Sequence, residues 1–163
     1  GYIELEPRRG ARVAAISAER ASKLFEVREA LEGLVAELAA QRRSAEQVTE
    51  LDAVVRRGIA AADSGDHSVL PALNTEFHRL LSQAAHNELL SEIVERIAHL
   101  IQWAYVRRIT QRSERSWAEH AEIAAAVASG DSDAAFARAS THIAHARDAF
   151  LHDEESRVLP PAQ

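Results

Sequence analysis

The sequence predicts an all-α fold, a bundle of helices behind a short β-hairpin, and three observations carry that prediction. The chain of 163 residues is rich in alanine and holds only 6 glycines, a composition that favours helix. From Ile16 onward apolar residues recur at three- and four-residue spacing, the period of an amphipathic helix. Before that point the chain alternates apolar and polar residues from Tyr2 to Glu6, the period of a strand.

The hairpin comes first. Tyr2-Ile3-Glu4-Leu5-Glu6 reads as one strand, Pro7-Arg8-Arg9-Gly10 as a turn with two arginines at its tip, and Ala11-Arg12-Val13-Ala14 as the return. Ser17 or Ser22 can cap a first helix running to about Gln41. Its apolar stripe is Leu24, Val27, Leu31, Leu34, Val35 and Leu38, with Arg28 and Glu32 toward one edge. A second helix starts near Ser44, turns Val48, Leu51, Val54, Val55 and Ile59 inward, and stops at Asp63-Ser64-Gly65-Asp66. The third runs from about Ser68 to Ala85, with Pro71 tolerated in its first turn.

His86-Asn87 breaks that helix, and Asn87 can cap the fourth. Leu90, Ile93, Ile97, Leu100, Ile101 and Ala104 form the inner face of the fourth helix, with Arg96, Arg107 and Arg108 on or beside it. Arginines so placed either reach water along their stems or meet a buried anion. A fifth helix begins near Ser113 or Ser116 and ends at Gly130. Asp131 then caps a sixth that continues to about Glu155, with Phe136, Ala139, Ile143, Ala146 and Phe150 inward. Leu159-Pro160-Pro161 ends the folded part.

The bulk properties exclude several classes of function. With 19 basic and 25 acidic residues the net charge is -6, a poor surface for a nucleic-acid duplex. The absence of Cys removes disulfides and thiolate metal sites. No apolar run approaches the ~20 residues that span a bilayer, and no signal peptide pattern is present. The start at Gly1-Tyr2-Ile3, with no Met, reads as a piece of a longer or processed protein.

The polar residues aimed at apolar faces carry the chemistry. Asn74 and His78 are four apart, one helical turn, and share a stripe with Leu70, Leu81 and Ala85. His120 falls with Ile123 and Val127 on the fifth helix, and His142 lies beside Ile143 among the small residues Ala135, Ala146 and Ala149. A buried histidine can be a hydrogen-bonded core residue or a ligand. Three imidazoles and one amide oxygen suit a divalent transition metal such as Zn or Ni, with positions left for water or another ligand. His145 projects roughly opposite the stripe and reads as solvent-facing, as do His67, His86 and His152 near helix ends.

A family resemblance runs through these same segments. Asn74-x-x-Phe77-His78, followed by Ala84-Ala85-His86-Asn87-x-Leu89-Leu90, resembles the D/N-x-x-F-H…A-x-x-N-x-x-L signature of the FadR-type ligand-binding (FCD) domain of GntR-family transcriptional regulators. Glu119-His120-x-x-Ile123-x-x-Ala126-x-x-x-Gly130-Asp131-x-x-Ala134-Ala135 resembles the family's E-H-x-x-I…A…G-D-x-x-A-A run, and His142 falls where the family places its last metal-binding His. Phe25-Glu26-Val27-Arg28-x-x-Leu31-Glu32 is similar to the motif of its first helix. The stretch from Ile3 to Val13 resembles the wing that closes the winged-helix domain.

The resemblance implies an antiparallel bundle of six to seven helices that works as a cytoplasmic homodimer. It divides the chain into a remnant of the DNA-binding domain's wing at 1–15, a linker at 16–21, an effector-binding and dimerisation domain at 22–158 and a tail at 159–163. Operator DNA would be met through an N-terminal domain of which only the wing is present, with Arg8 and Arg9 at its tip. Asn74, His78, His120 and His142 would hold the metal, and a small organic acid would bind beside it, framed by Arg28 and Glu32. Arg96, Arg107 and Arg108 join this set from their position, because a carboxylate in a low-dielectric cavity needs a fixed positive partner.

Two rivals are a mononuclear metalloenzyme and a metal-free dimerisation bundle. Three histidines with an open position can also be catalytic, but no His here follows a Glu by three residues, as di-iron bundles require, and no inward acid stands out as a general base. The chain departs from the commoner family pattern in having Asn74 where Asp is usual. A neutral amide oxygen is a weaker ligand than a carboxylate, so the Asn74→Asp variant is expected to bind zinc more tightly in a competition titration. Equal or weaker binding by the variant would contradict that role for position 74.

Overall fold

The computed structural model describes residues 3–6, 10–13, 18–105 and 113–158, with side-chain surroundings for 19–98 and 115–152. The expected hairpin is present: β1 (Ile3–Glu6) pairs antiparallel with β2 (Gly10–Val13), Ile3 opposite Val13 and Glu6 opposite Gly10. Its tip, with Arg8 and Arg9, lies outside the described residues, as do Ser17, Arg107 and Arg108. Six helices follow among the described residues: α1 (Ala18–Arg42), α2 (Ala45–Asp63), α3 (Leu70–Ala84), α4 (Glu88–Tyr105), α5 (Ser113–Ser129) and α6 (Ser132–Val158). No helix among the described residues is long and apolar enough to cross a membrane.

Local chemistry sets the helix ends. Ser44 caps α2 in a reciprocal box, its hydroxyl accepting from the Gln47 amide while the Gln47 side chain accepts from the Ser44 N–H. Asn87 Oδ1 accepts from the Leu90 N–H at 3.1 Å to start α4, and Asp131 Oδ1 accepts from the Ala134 N–H at 3.0 Å to start α6. Helix α5 stops because Gly130 takes a φ of +77°. That residue lets Asp131 N–H reach Ala126 O and Gly130 N–H reach Val127 O, the paired bonds of a Schellman end. The end of α3 has no glycine; His86 takes the positive φ instead, and the Arg42 guanidinium donates to the carbonyls of Ala85 and His86. Ser22 is no cap, since it lies inside α1.

Helix α1 is the axis of the bundle, touching α3, α4, α5 and α6, while α2 packs on α3 and α5. The main core joins Val35, Ala36 and Ala39 of α1 to Leu51 and Val54 of α2, Phe77 and Leu81 of α3, and Ile123 and Val127 of α5. A smaller cluster of Ala21, Phe25, Ile143 and Phe150 closes the far end of the α1–α6 pair. Alanines on α1 and α6 allow that close approach.

Four residues expected inward are exposed: Val27, Leu34, Ile93 and Phe136. A helix in a small bundle buries only one stripe of its surface. On α1 that stripe is Phe25, Glu32, Val35, Ala36 and Ala39, and on α4 it is Leu90 and Val94. Arg96 is exposed for the same reason, about 200° around the helix from Val94, rather than on the inner face.

Gly58 sets the spacing of α2 and α5. A Cβ at this position would meet the Trp117 ring at 2.2 Å, so the indole lies flat against bare backbone. Alanine is the better helix former by about 1 kcal/mol, but overpacking costs about 1–3 kcal/mol. An overlap at 2.2 Å takes the upper half of that range, so Gly58→Ala is expected to lower the unfolding free energy in urea by about 1–2 kcal/mol. An equal or more stable variant would contradict this packing.

Candidate metal centre

The three histidines singled out from separate helices meet in the bundle. His78 from α3, His120 from α5 and His142 from α6 each offer a ring nitrogen, and these atoms lie within 4.8 Å of one another. His120 and His142 are buried, with 0% and 4% exposure. Helix packing fixes the first ring firmly: Phe77 stacks on His120 with centroids 4.1 Å apart, and Trp117, one turn earlier on α5, meets it edge-on at 4.8 Å. The Phe-His pair of α3 thus divides its work, Phe77 holding the neighbouring imidazole while His78 supplies its own.

Two carboxylates stand behind the imidazoles. Nδ1 of His142 lies 2.8 Å from Oε2 of Glu119, and Nδ1 of His145 lies 2.8 Å from Oε1 of the same residue. A carboxylate only accepts, so His142 donates from Nδ1 and its Nε2 lone pair faces inward. That Nε2 is 3.2 Å from Nε2 of His120, so His120 donates across the gap. On the other side, Nδ1 of His78 is 2.8 Å from Oε2 of Glu32. The contact is electrostatic, because this buried nitrogen has no aligned hydrogen-bond partner. Glu32 is 3% exposed and also pairs with Arg28 one turn earlier on α1.

Electrostatics follow from this arrangement. Burial alone would raise the Glu32 pKa, but the Arg28 guanidinium and His78 outweigh it and hold the carboxyl well below the usual carboxylate range. Burial pushes the His142 pKa below its ordinary value, against the opposing hydrogen bond that His142 donates to Glu119. A neutral imidazole with Nδ1–H engaged and Nε2 inward is the form that binds a metal.

The donor set fits a divalent transition metal. Two nitrogens on one tetrahedral ion, each at 2.0–2.1 Å, stand about 3.3 Å apart, and His120 and His142 are already at 3.2 Å. His78 would close by about 1.5 Å from the longest separation of 4.8 Å. It is the least buried of the three, at 16% side-chain exposure against 5% for His142, and its Nδ1 has no aligned bond to lose. Asn74 sits half-buried one turn before His78 on the same helix.

The remaining expected residues divide. Arg28 and Glu32 belong to the centre through His78; Arg96 is exposed, and Arg107, Arg108, Arg8 and Arg9 lie outside the described residues. His67, His86 and His152 are exposed as expected. His145 is not simply solvent-facing: its side chain is 33% exposed and bonded to Glu119, because α5 lies along that side of α6. In the sequence Glu119 stands only as a member of the Glu119-His120 motif. Its signal was the complementary spacing of Arg115 and Glu119 on α5 with His142 and His145 on α6, four and three apart, which puts each pair on one helix face.

Comparison with known proteins agrees with this fold. The FCD domain profile matches residues 23–145. The HTH-type transcriptional regulator YdhC of Bacillus subtilis is 25% identical over 155 residues, which is 93% of this chain and 69% of that protein. E. coli McbR/YncC shares the fold with a TM-score of 0.82 at 14% identity, over 94% of this chain and 78% of its own. Streptococcus agalactiae GntR matches with a TM-score of 0.71 at 25% identity, over 90% and 74% of the two chains. The chain belongs to the FCD domain family of the GntR-type transcriptional regulators.

Proposed function

We propose that the chain is the effector-sensing and dimerisation part of a transcriptional regulator, and that it binds a small organic acid at a divalent metal, Zn or Ni. The observation that supports this best is the convergence of His78, His120 and His142 within 4.8 Å, backed by the buried Glu32 and the half-buried Glu119. His78, His120 and His142 would hold the metal, with Asn74 as a fourth and weaker ligand. The bound ion supplies a fixed positive charge for an anionic effector in a site that is otherwise desolvated. Arg28, already tied to Glu32 beside His78, would frame that effector.

The centre joins α3, α5 and α6 to α1, so an effector bound there adds contacts across the bundle. It would thereby favour one placement of the two DNA-binding domains of a homodimer over another. Its leverage is its differential affinity for the two arrangements, typically worth about 1–3 kcal/mol. In this reading β1 and β2 are the end of a winged-helix domain, operator DNA is met through the rest of that domain, and the protein works in the cytoplasm. Sensing is favoured over turnover because Glu32 and Glu119, the carboxylates nearest the imidazoles, are engaged with Arg28 and with His142 and His145. Neither is poised as a general base.

Isothermal titration against a panel of mono-, di- and tricarboxylates tests the proposal. One class of acid is expected to bind the Zn- or Ni-loaded chain, to lose most of its affinity after chelation, and to bind Arg28→Ala more weakly. No carboxylate binding with or without added metal would contradict the proposal. Binding that chelation leaves intact would favour a metal-free cavity instead.

A further inference from the structure

A groove lies on the outer side of α5 and α6, directly behind His142. It encloses about 370 Å³ and is lined by Arg115, Arg138, Thr141 and His145, with Glu119 and His142 among its walls. Arg115 donates from Nε to Oε1 of Glu119 at 3.2 Å, and another of its nitrogens lies 3.2 Å from Nε2 of His145. His145 in turn lies 2.8 Å from Oε1 of Glu119 through Nδ1. These three side chains form a closed ring whose remaining oxygen, Oε2 of Glu119, takes the Nδ1–H of His142.

The directions within the ring are fixed by elementary chemistry. A guanidinium only donates, so Nε2 of His145 accepts and its Nδ1 carries the hydrogen. That hydrogen and the Arg115 N–H both go to Oε1 of Glu119, which leaves Oε2 directed at His142. A carboxylate free to rotate could turn either oxygen, or neither, toward the metal-facing imidazole. Held on one side by two donors, it presents one oxygen in one place.

We infer that His145 and Arg115 are positioning residues for the metal centre, acting through Glu119 to hold His142 in its ligating tautomer and orientation. The inference rests on the metal-binding reading above and extends the site from the bundle core to the α5–α6 surface. The groove makes the outer members of the ring accessible, since Arg115 is 65% exposed and His145 33%. Removing them leaves no cavity in the core, so the variants are expected to fold.

The test is zinc affinity by competition with a chromophoric chelator, together with the visible spectrum of the cobalt-loaded protein. It compares the wild type with His145→Ala, His145→Asn, Arg115→Ala and Glu119→Gln. Loss of a partner that holds a ligating histidine weakens metal binding about 10–100-fold, which is expected for Glu119→Gln. His145→Ala and Arg115→Ala act one step further out and are expected to weaken it about 3–10-fold and to shift the cobalt bands. His145→Asn, whose amide can still donate to Oε1, is expected to restore the wild-type spectrum and an affinity within about 2-fold of wild type. Wild-type zinc binding with an unchanged His145→Ala affinity and spectrum would overturn the positioning role alone. Failure of the wild type to bind zinc or cobalt would overturn the metal reading and this inference together.

Discussion

Gathering three imidazoles, two of them buried, at the meeting point of three helices constrains the rest of the structure. Each ring carries two nitrogens that lose water on folding, and an unmet buried polar group costs about 1–3 kcal/mol. The bundle meets part of that cost from two sides. Glu119 on α5 takes the outer nitrogen of His142 on α6, and Glu32 on α1 stands against His78 on α3. The inner nitrogens of His120 and His142 are left facing each other at 3.2 Å. Two ring nitrogens from separate helices, sharing one hydrogen this deep in the core, stand where a metal could replace that hydrogen. A packed core would otherwise be cheaper to build from leucine.

The carboxylates carry their own costs, and those are met outward in turn. Glu32 is buried on the axial helix and is kept ionised by Arg28, one turn away. Glu119 is less enclosed and is held by Arg115 and His145 at the α5–α6 groove. The centre is therefore a chain of charge from one side of the bundle to the other, with imidazoles in the middle. Aromatic packing supplies the rigidity this requires. Phe77 and Trp117 fix the His120 ring, and Trp117 can lie where it does only because Gly58 leaves the α2 backbone bare.

Much of this was legible in the sequence because helix period and caps are local. Ser44, Asn87, Gly130 and Asp131 mark their helix ends by side-chain chemistry alone, and His78, His120 and His142 fall on apolar faces by simple spacing. What spacing cannot supply is the direction from which a neighbouring helix arrives. Val27, Leu34, Ile93 and Phe136 lie near an apolar stripe yet remain exposed, since only a narrow strip of each helix is covered. Arg96 lies outside that strip for the same reason. His145 errs the other way: opposite the stripe of α6 lies not water alone but the edge of α5 and the Glu119 carboxylate. Glu119 was hidden because an acid next to a buried histidine reads as a solvated neighbour until the facing helix is known.

X-ray absorption at the zinc edge, on protein loaded with one equivalent of zinc, tests the central claim most directly. The account predicts three imidazole nitrogens at about 2.0–2.1 Å, with oxygen completing the shell, and loss of one imidazole in each of His78→Ala, His120→Ala and His142→Ala. A shell with fewer than two imidazoles, or one unchanged by all three substitutions, would contradict it.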